Sequence, residues 1–227
     1  MKIDARFDFN RSTIVFAVKA ALQSARLSMG RHPVATQRPF MPLWIDPSEI
    51  RWNLPSKALD LMEIPTHFVV KRGFNGKGLD PVFSAGYFWN GPWFDHCDHY
   101  NPKESRLYQA MVGRFIHNED WSNTEFIATV RENIRIYGRD WNGARSHADI
   151  QDRIDRLERL HASIIKYGLT HTYPPVCCLM GPSGEIVKHG NGQHRLMLAL
   201  ITNKRLPVHI IAYHPESVRA VRQRRCR

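Results

Sequence analysis

The stretch that decides the fold spans residues 174–213 and reads PPVCCLMGPSGEIVKHGNGQHRLMLALITNKRLPVHIIAY. It opens with an apolar, β-prone run (176–180), and the Gly-Pro-Ser-Gly that follows is typical of a hairpin turn before a second short strand (185–188). Two glycines then permit a tight turn, and the pattern after them predicts a helix over 193–202 and a strand over 206–213. The sequence therefore predicts an α/β unit in the order strand, hairpin, strand, helix, strand.

The turn before the predicted helix is the candidate functional site. It consists of Gly190, Asn191, Gly192, Gln193, His194 and Arg195. A helix that begins directly after a glycine turn leaves several backbone N–H groups without partners, and these groups attract phosphate or sulfate together with the helix dipole. Arg195 can bind phosphate oxygens, while His194 can donate to another oxygen or move a proton. Alternatively, both side chains hold the loop by pairing with local carbonyls or carboxylates, and Gln193 can serve either ligand or loop.

The rest of the chain divides into a helical middle and a less regular first part. Helical spacing of apolar residues predicts helices over 12–29, 104–116 and 146–167, and Ser122 to Glu125 matches a capping box that opens another helix. Residues 42–50 are predicted as a short strand that enters a turn at Asp46-Pro47. The segment 68–71 is a further strand candidate, and the glycine- and aromatic-rich residues after it predict long loops before Tyr100.

Composition limits the classes of protein to which the chain can belong. Its 227 residues suffice for a substantial core, and no apolar run approaches the ~20 residues that a membrane-spanning helix needs. We expect a cytoplasmic protein without a membrane partner, and the oligomeric state is left open. The formal charge of +11 favours polyanionic partners, a nucleotide or DNA. The densest cluster of basic residues is the tail 217–227, which either grips a phosphate backbone or is a solvated end.

Cysteine and histidine usage gives no strong metal signal. The four cysteines lack a repeated Cys-x-x-Cys spacing, and the vicinal pair Cys177-Cys178 is more typical of buried small residues in a reducing compartment than of a disulfide framework. Five potential ligands occur in a row at 95–99, but adjacent residues rarely converge on one ion. We predict no protein-held metal there, and the aromatic residues of 89–100 are predicted to fill a core more often than to stack on a ligand.

The C-terminal unit resembles the signature of the ParB/sulfiredoxin superfamily, in which a turn of the Asp-Gly-x-His-Arg type precedes a helix and an Ile-Pro-Val strand. Three segments carry the resemblance: 187–196 with 206–211, the strand and turn at 44–50, and the stretch from Arg114-Phe115 to Thr124, which is similar to a subgroup of ParB-like proteins. The resemblance implies a mixed sheet of the ParB/sulfiredoxin-like α/β (α+β) class over 41–216, with an inserted helical segment at about 101–168. Residues 1–40 would form an N-terminal helix and linker.

The resemblance also implies that a nucleotide, ATP or CTP with Mg²⁺, binds its phosphates on the 190–195 turn. Members of the superfamily include CTP-binding partition proteins, sulfiredoxins, free-serine kinases and DNA-associated proteins. By similarity to the serine kinases, Glu49 or Asp46 would activate the phosphoryl acceptor, although both carboxylates can equally be solvated. Where many members carry Asp before the glycine, this chain has Asn191, which cannot act as a carboxylate base. Gln193 stands where sulfiredoxins carry cysteine, and no helix-turn-helix typical of partition proteins follows.

Three hypotheses for function follow. The first is a nucleotide-dependent phosphotransferase or nucleotidase in which His194 and Arg195 stabilise the transferring phosphoryl group. The second is a DNA-associated ParB-like binding or nuclease-like protein that uses the Arg219 to Arg227 tail. The third is a non-catalytic regulator that keeps the anion pocket without turnover, as Asn191 suggests.

Overall fold

The computed structural model of the chain describes residues 42–55, 58, 60–62, 69–71, 77–79, 86–169, 176–190 and 192–218, together with 18, 21, 22 and 25. In these residues it shows a mixed α/β fold with a six-stranded sheet and a separate two-stranded one. The strands are β1 (Leu43–Ile45), β2 (Ile50–Asn53), β3 (Val69–Lys71), β4 (Lys77–Leu79), β5 (Asp98–His99), β6 (Val176–Met180), β7 (Ile186–Lys188) and β8 (Leu206–Tyr213). The helices are α1 (Arg106–His117), α2 (Glu125–Tyr137), α3 (His147–Tyr167) and α4 (Gln193–Ile201).

The larger sheet has the strand order β1-β8-β6-β7-β2-β5. Two neighbouring pairs, β8 with β6 and β7 with β2, are parallel, while the other three pairs are antiparallel. Helix α4 connects β7 to β8, which lies on the far side of β6. The mixed character of the sheet follows from this connection, because a strand that is not joined by a hairpin can pair in parallel.

Apolar side chains cover both faces of this sheet. On one face, Cys178 and Ile186 share a core with the buried sides of all four helices. On the other face, Leu179 and Val187 pack with Trp93 and the residues around it. Successive residues of a strand point to opposite faces, so the alternation along β7 places Ile186 and Lys188 on the helical side and Val187 on the other. The last residue of β7 therefore enters the helical layer as a lysine.

The stretch Arg114 to Thr124 joins the helices of this layer. The Glu158 carboxylate on α3 accepts from Arg114 Nε at 2.7 Å and from Trp121 Nε1 at 2.9 Å. The Phe115 ring stacks on His161 of α3 with 3.9 Å between ring centroids and meets the edge of Trp121. The arginine, phenylalanine and tryptophan of this stretch thus have structural partners in the helical layer.

Most predicted elements are confirmed where the structure describes them. The strand 176–180, the hairpin 181–184 and the strand 206–213 occur as expected, and the predicted helices at 104–116, 146–167 and 193–202 begin or end within about two residues of the observed bounds. The strand and turn at 42–50 are also confirmed. Residues 69–71 form β3, which pairs with β4 inside the segment that the sequence left as loops.

One prediction about a helix end is wrong. Thr124, and not Ser122, caps α2, because Asp120 caps a 3-10 turn through the Ser122 backbone N–H and leaves the Thr124 hydroxyl to accept from Ile127 N. Val18 and Leu22 of the predicted first helix are helical, and they are 56% and 61% exposed. The strand β2 was not predicted, since its parallel partner β7 lies more than a hundred residues away along the chain.

Several predictions fall outside the described residues. They concern most of the helix 12–29, the linker 31–41, Asn191, and the basic tail from residue 219 onward. Among the helices that the structure does describe, none has the length and apolarity needed to cross a membrane.

Candidate functional site

The turn between β7 and α4 depends on its second glycine. Gly192 has φ +109°, a left-handed conformation that residues with a side chain rarely adopt. A Cβ atom on Gly192 would also lie 2.7 Å from Cγ2 of Val176, the first residue of β6. Gly190 has φ +66°, but a Cβ atom added to Gly190 would have no neighbouring atom within 4 Å. Glycine at 192 therefore lets the start of α4 approach the sheet closely.

Helix α4 begins without a side-chain cap. The first helical hydrogen bond runs from Leu196 N to the Gly192 carbonyl at 3.0 Å, and no side chain caps the helix from Gly192. The backbone N–H groups of residues 193–195 consequently precede the hydrogen-bonded part of the helix. Together with the positive end of the helix dipole they favour an anion at this end.

Arg195 and His194 lie half-buried on the first turn of α4. Arg195 forms no ion pair with any described carboxylate, and burial lowers its pKa from the ordinary value. The pKa of His194 is lowered as well, first by burial and then by the charges of Arg195 and Arg153. The His194 imidazole is therefore neutral at pH 7, and a partly buried guanidinium remains beside it without a compensating anion from the described residues.

Lys188 is a second buried cation at the same turn. Its side chain is only 7% exposed, and its Nζ donates to the Gly190 carbonyl at 3.2 Å. The same Nζ lies 5.5 Å from the ring centroid of Tyr100, whose buried hydroxyl has no hydrogen-bond partner among the described residues. Burial lowers the pKa of Lys188 and raises that of Tyr100 to about 12. A buried ammonium and an unpaired hydroxyl thus lie next to the glycine turn.

Lys188 is the site residue that the sequence reasoning missed. A signal for it existed, because a lysine that shares a strand face with an inward isoleucine and precedes a glycine turn is unusual for a solvated residue. The sequence does not show whether Lys71, Arg72 or Lys77 approaches the phosphates. In the structure Lys71 and Lys77 face each other across the β3–β4 pair, and nothing is described of their side chains.

The two predicted acidic residues are engaged in a turn of their own. The Asp46 carboxylate accepts from the backbone N–H of Ser48 at 2.8 Å, and the Glu49 carboxylate accepts from Asp46 N at 3.0 Å. These bonds form a capping box around residues 47–49, a turn that packs against α4. In the pairing of β2 with β7, the residue opposite Lys188 is Asn53. Asn53 follows Glu49 by four residues in the chain. A role for either carboxylate at the 190–195 turn stays a prediction.

The remaining predicted positions of the turn divide between exposed and undescribed residues. Gln193 is exposed at the first position of α4, where it is accessible to a ligand. Asn191 lies outside the described residues, as does the arginine-rich tail. The proposed effects of Asn191 on catalysis and of the tail on DNA binding therefore stay predictions.

A loop between α2 and α3 completes the surroundings of His194. Trp141 meets His194 edge to face at 6.3 Å between ring centroids and packs against Phe126 at 5.0 Å. The Arg153 guanidinium, on α3, donates through Nη2 to the Asn142 carbonyl at 3.0 Å. The helical layer therefore supplies an aromatic ring and another cation to the same side of α4.

The consecutive potential ligands at 95–99 are spread over different local structures. Residues 94–96 form a short 3-10 turn and Asp98 begins β5. Burial, followed by the charges of Asp98 and Asp95, raises the pKa of Cys97 to about 12, which keeps its thiol protonated. Metals bind the thiolate form. Across the described part of the chain, no three histidine, cysteine or acidic side chains converge on a common point.

Comparisons with known proteins return no match: no family model, no curated protein and no solved structure is significantly similar to this chain.

Proposed function

We propose that this protein is a nucleotide-dependent phosphotransferase or nucleotidase of the ParB/sulfiredoxin type, and that it binds the phosphates of ATP or CTP on the Gly190 to Arg195 turn. One observation carries the proposal. Lys188 is buried at the glycine turn and Arg195 is half-buried on the first turn of the uncapped helix α4, and no described carboxylate pairs with Arg195. Because a buried charge without a counter-ion is costly, this arrangement favours an anionic ligand.

The site residues have different roles in binding. The backbone N–H groups at the start of α4 would bind the oxygens of one phosphate. The Arg195 guanidinium would bind two oxygens of the terminal phosphate side by side, and Lys188 would compensate the charge from the sheet side. Gly192 matters because it lets the helix start lie close to Val176 of β6, and in the proposal these groups would share one ligand.

The chemistry would be an in-line displacement at the terminal phosphorus. An acceptor hydroxyl or water attacks, the bond from phosphorus to the bridging oxygen breaks, and a nucleoside diphosphate leaves with the bonding electrons. The neutral His194 can accept the proton of the attacking oxygen, and Arg195 with Lys188 can stabilise the charge that develops on the phosphoryl oxygens.

Magnesium does not fit the described site residues. Magnesium prefers carboxylate and other oxygen ligands, whereas this site presents cationic donors. The oxygens of Asp46 and Glu49 already accept backbone hydrogen bonds within their turn. Magnesium therefore enters the proposal only as a counter-ion on the triphosphate.

The position of the acidic residues favours one further candidate, a non-catalytic nucleotide-binding regulator. A phosphotransferase usually needs a group that orients and deprotonates the acceptor, and the predicted carboxylates are bonded inside the 47–49 turn. If His194 does not serve as the base, the pocket would bind nucleotide without turnover.

A thermal-shift screen with nucleotides tests the proposal. Wild type, Arg195→Ala and Lys204→Ala would be heated with ATP, CTP, GTP and the diphosphates, each with and without Mg²⁺. A ligand at about 100 times its Kd stabilises the folded state by about 2.7 kcal/mol. We expect one nucleotide to raise Tm in wild type and in Lys204→Ala, which loses an exposed cation just after α4, and to lose this effect in Arg195→Ala.

Direct binding and turnover separate the outcomes. Isothermal titration of the selected nucleotide confirms the Kd, and assays of phosphate release and of transfer to added hydroxyl acceptors measure turnover. Turnover that is lost in His194→Asn while binding remains would support the phosphotransferase, whereas binding with no turnover would favour the regulator. If no nucleotide shifts Tm or binds, the nucleotide proposal is wrong.

A further inference from the structure

Trp141, Arg153 and His194 form a cluster that the nucleotide proposal does not use as a unit. We call it the 141–153 cluster. His194 belongs to the first turn of α4, Trp141 to the loop after α2, and Arg153 to the second turn of α3. The edge-to-face contact between Trp141 and His194 and the hydrogen bond from Arg153 to Asn142 bring the three side chains together.

Two donors of the cluster are buried and have no partner. The indole Nε1 of Trp141, whose residue is only 7% exposed, has no acceptor in the described part of the chain, and neither does Nε of Arg153. Leaving a buried donor unsatisfied costs about 1–3 kcal/mol, and more for a charged group. Trp121, in the same helical layer, shows the contrast, because its Nε1 donates to Glu158 at 2.9 Å. The two unpaired donors of this cluster therefore favour an acceptor from outside the described residues.

The backbone around Trp141 is strained as well. Trp141 and Asn142 have φ of +31° and +59°, a region in which an indole-bearing residue is uncommon. The loop is closed at its base by the hydrogen bond from Asp140 N to the Ala144 carbonyl at 2.9 Å. Strain of this kind costs about 1–3 kcal/mol per residue and is concentrated at ligand-binding positions. Here it holds the Trp141 ring against His194.

Nearby carboxylates form no ion pair with the cluster among the described residues, although the charge of Arg153 is one of the causes that lower the pKa of Asp149. Asp149 lies one turn before Arg153 on α3, but its carboxylate accepts from the backbone N–H of Arg145 at 2.9 Å. Asp140 accepts from the Asn133 side chain at 2.7 Å and from the Trp141 backbone. Neither acid forms an ion pair with Arg153 among the described residues. The cluster thus presents N–H donors and positive charge, which is the complement of an oxyanion.

We propose that the 141–153 cluster is an oxyanion subsite, which binds a carboxylate or phosphate group through Trp141 Nε1 and the Arg153 guanidinium, separately from the phosphate on the glycine turn. The helical segment would thereby contribute a second ligand contact next to His194. Such a group belongs either to the second substrate of the site or to a further phosphate of the same ligand. The subsite does not depend on nucleotide binding at the turn.

The indole N–H resonance of Trp141 reports directly on this subsite. In the uniformly ¹⁵N-labelled full chain, Trp141→Phe assigns its signal among the six tryptophans. Inorganic phosphate and sodium acetate would be titrated separately at constant ionic strength. We expect the Trp141 signal to move and to saturate with at least one of them, because a hydrogen bond to an oxyanion deshields the indole proton. The Trp121 signal, already bonded to Glu158, is the internal control.

Three variants complete the test. Arg153→Gln should weaken the response roughly tenfold or more, since it removes a charge-assisted hydrogen bond. Arg156→Gln, which removes an exposed cation of the same helix, should leave the response unchanged. Arg195→Ala should preserve it even where nucleotide binding is lost. Saturation by phosphate or by acetate identifies the group. A Trp141 signal that responds to neither anion in wild type, or equally in Arg153→Gln, overturns the proposal.

Discussion

Gly190 and Gly192 lie two residues apart with left-handed backbones, yet they differ in what surrounds them. At Gly190 a Cβ would point into open space, so Gly190→Ala has only the cost of the backbone conformation, about 1 kcal/mol. At Gly192 the Cβ would also collide with Val176, so we expect Gly192→Ala to lower the free energy of unfolding by roughly 3 kcal/mol. Urea unfolding followed by far-UV circular dichroism measures both.

A second substitution separates the two causes at Gly192. Val176→Ala removes the methyl groups that meet the Cβ, so it should be less harmful in the Gly192→Ala background than alone. Non-additivity of about 1 kcal/mol is typical of residues in contact. Equal losses for Gly190→Ala and Gly192→Ala would contradict the close approach of α4 to β6.

The sequence could predict the residues of the turn but not their surroundings. Glycine, histidine and arginine at 190–195 are recognisable by residue type, because their chemistry and the start of the helix are local properties. Lys188 and Tyr100 could not be paired in this way, since the contact depends on the fold bringing the strand end and a distant loop together. Trp141 and Arg153 reach His194 through the packing of helices, which periodicity does not specify.

Among the elements, β2 and α2 show where local signals fail. Periodicity predicted the long helices well, because each buries one continuous face over three or more turns. The four residues of β2 are too few for a recognisable alternation, and their partners lie in β7. At α2 two polar residues competed for the cap, and the choice of Thr124 depended on a preceding 3-10 turn that Asp120 stabilises.

Glu158 ties three elements of the helical layer, and removing its charge tests their cohesion. Glu158→Gln should lower the free energy of unfolding by about 2 kcal/mol, because it weakens charge-assisted hydrogen bonds from Arg114 and Trp121 in a half-buried position. Glu132→Gln is the matched control. Its partner Arg135 is as close, at 2.6 Å, but both side chains are more than half exposed, so we expect little or no loss of stability.

Chemical denaturation of the two variants decides between these values. A double-mutant cycle with Arg114→Gln isolates the ion pair from the hydrogen bond of Trp121. If Glu158→Gln is as harmless as Glu132→Gln, the stretch from Arg114 to Thr124 does not hold the helical layer together, and its residues would then need another explanation.

At the scale of the whole molecule, the fold brings together three cations that are buried or half-buried. The formal charge of +11 alone indicates a polyanionic partner without saying where it binds. Lys188, Arg195 and Arg153 are far apart in the sequence or on different elements, and the fold places all three around the start of α4. Such concentration destabilises the free protein, so an anionic ligand should stabilise it markedly.

Two histidines of the helical layer, His161 and His194, should make the free energy of unfolding depend on pH. Burial lowers the pKa of His161, which is stacked on Phe115, and burial with two neighbouring arginines lowers that of His194. Their folded pKa values lie below the ordinary 6.5, so the unfolded chain binds more protons as pH falls through and below 6.5. The free energy of unfolding should therefore be highest above pH 6.5 and fall as the solution is acidified, by up to about 1.4 kcal/mol per pH unit for His194 and by less for the more exposed His161.

Urea unfolding midpoints between pH 8 and pH 5 measure how the free energy of unfolding changes with pH. Variants and a bound anion show which histidine causes the change. The carboxylates of Asp46 and Asp149, whose pKa values are lowered by hydrogen bonds within their own turns, lose their stabilising effect only near and below 3.8, outside this range. His161→Phe and His194→Asn should each reduce the slope. In wild type, saturating phosphate should also reduce the pH slope. An anion beside His194 favours the protonated imidazole and raises its folded pKa toward 6.5. A slope unchanged in His194→Asn would show that this side chain is not held neutral between Arg195 and Arg153, and His194 could then not be the base of the proposed transfer.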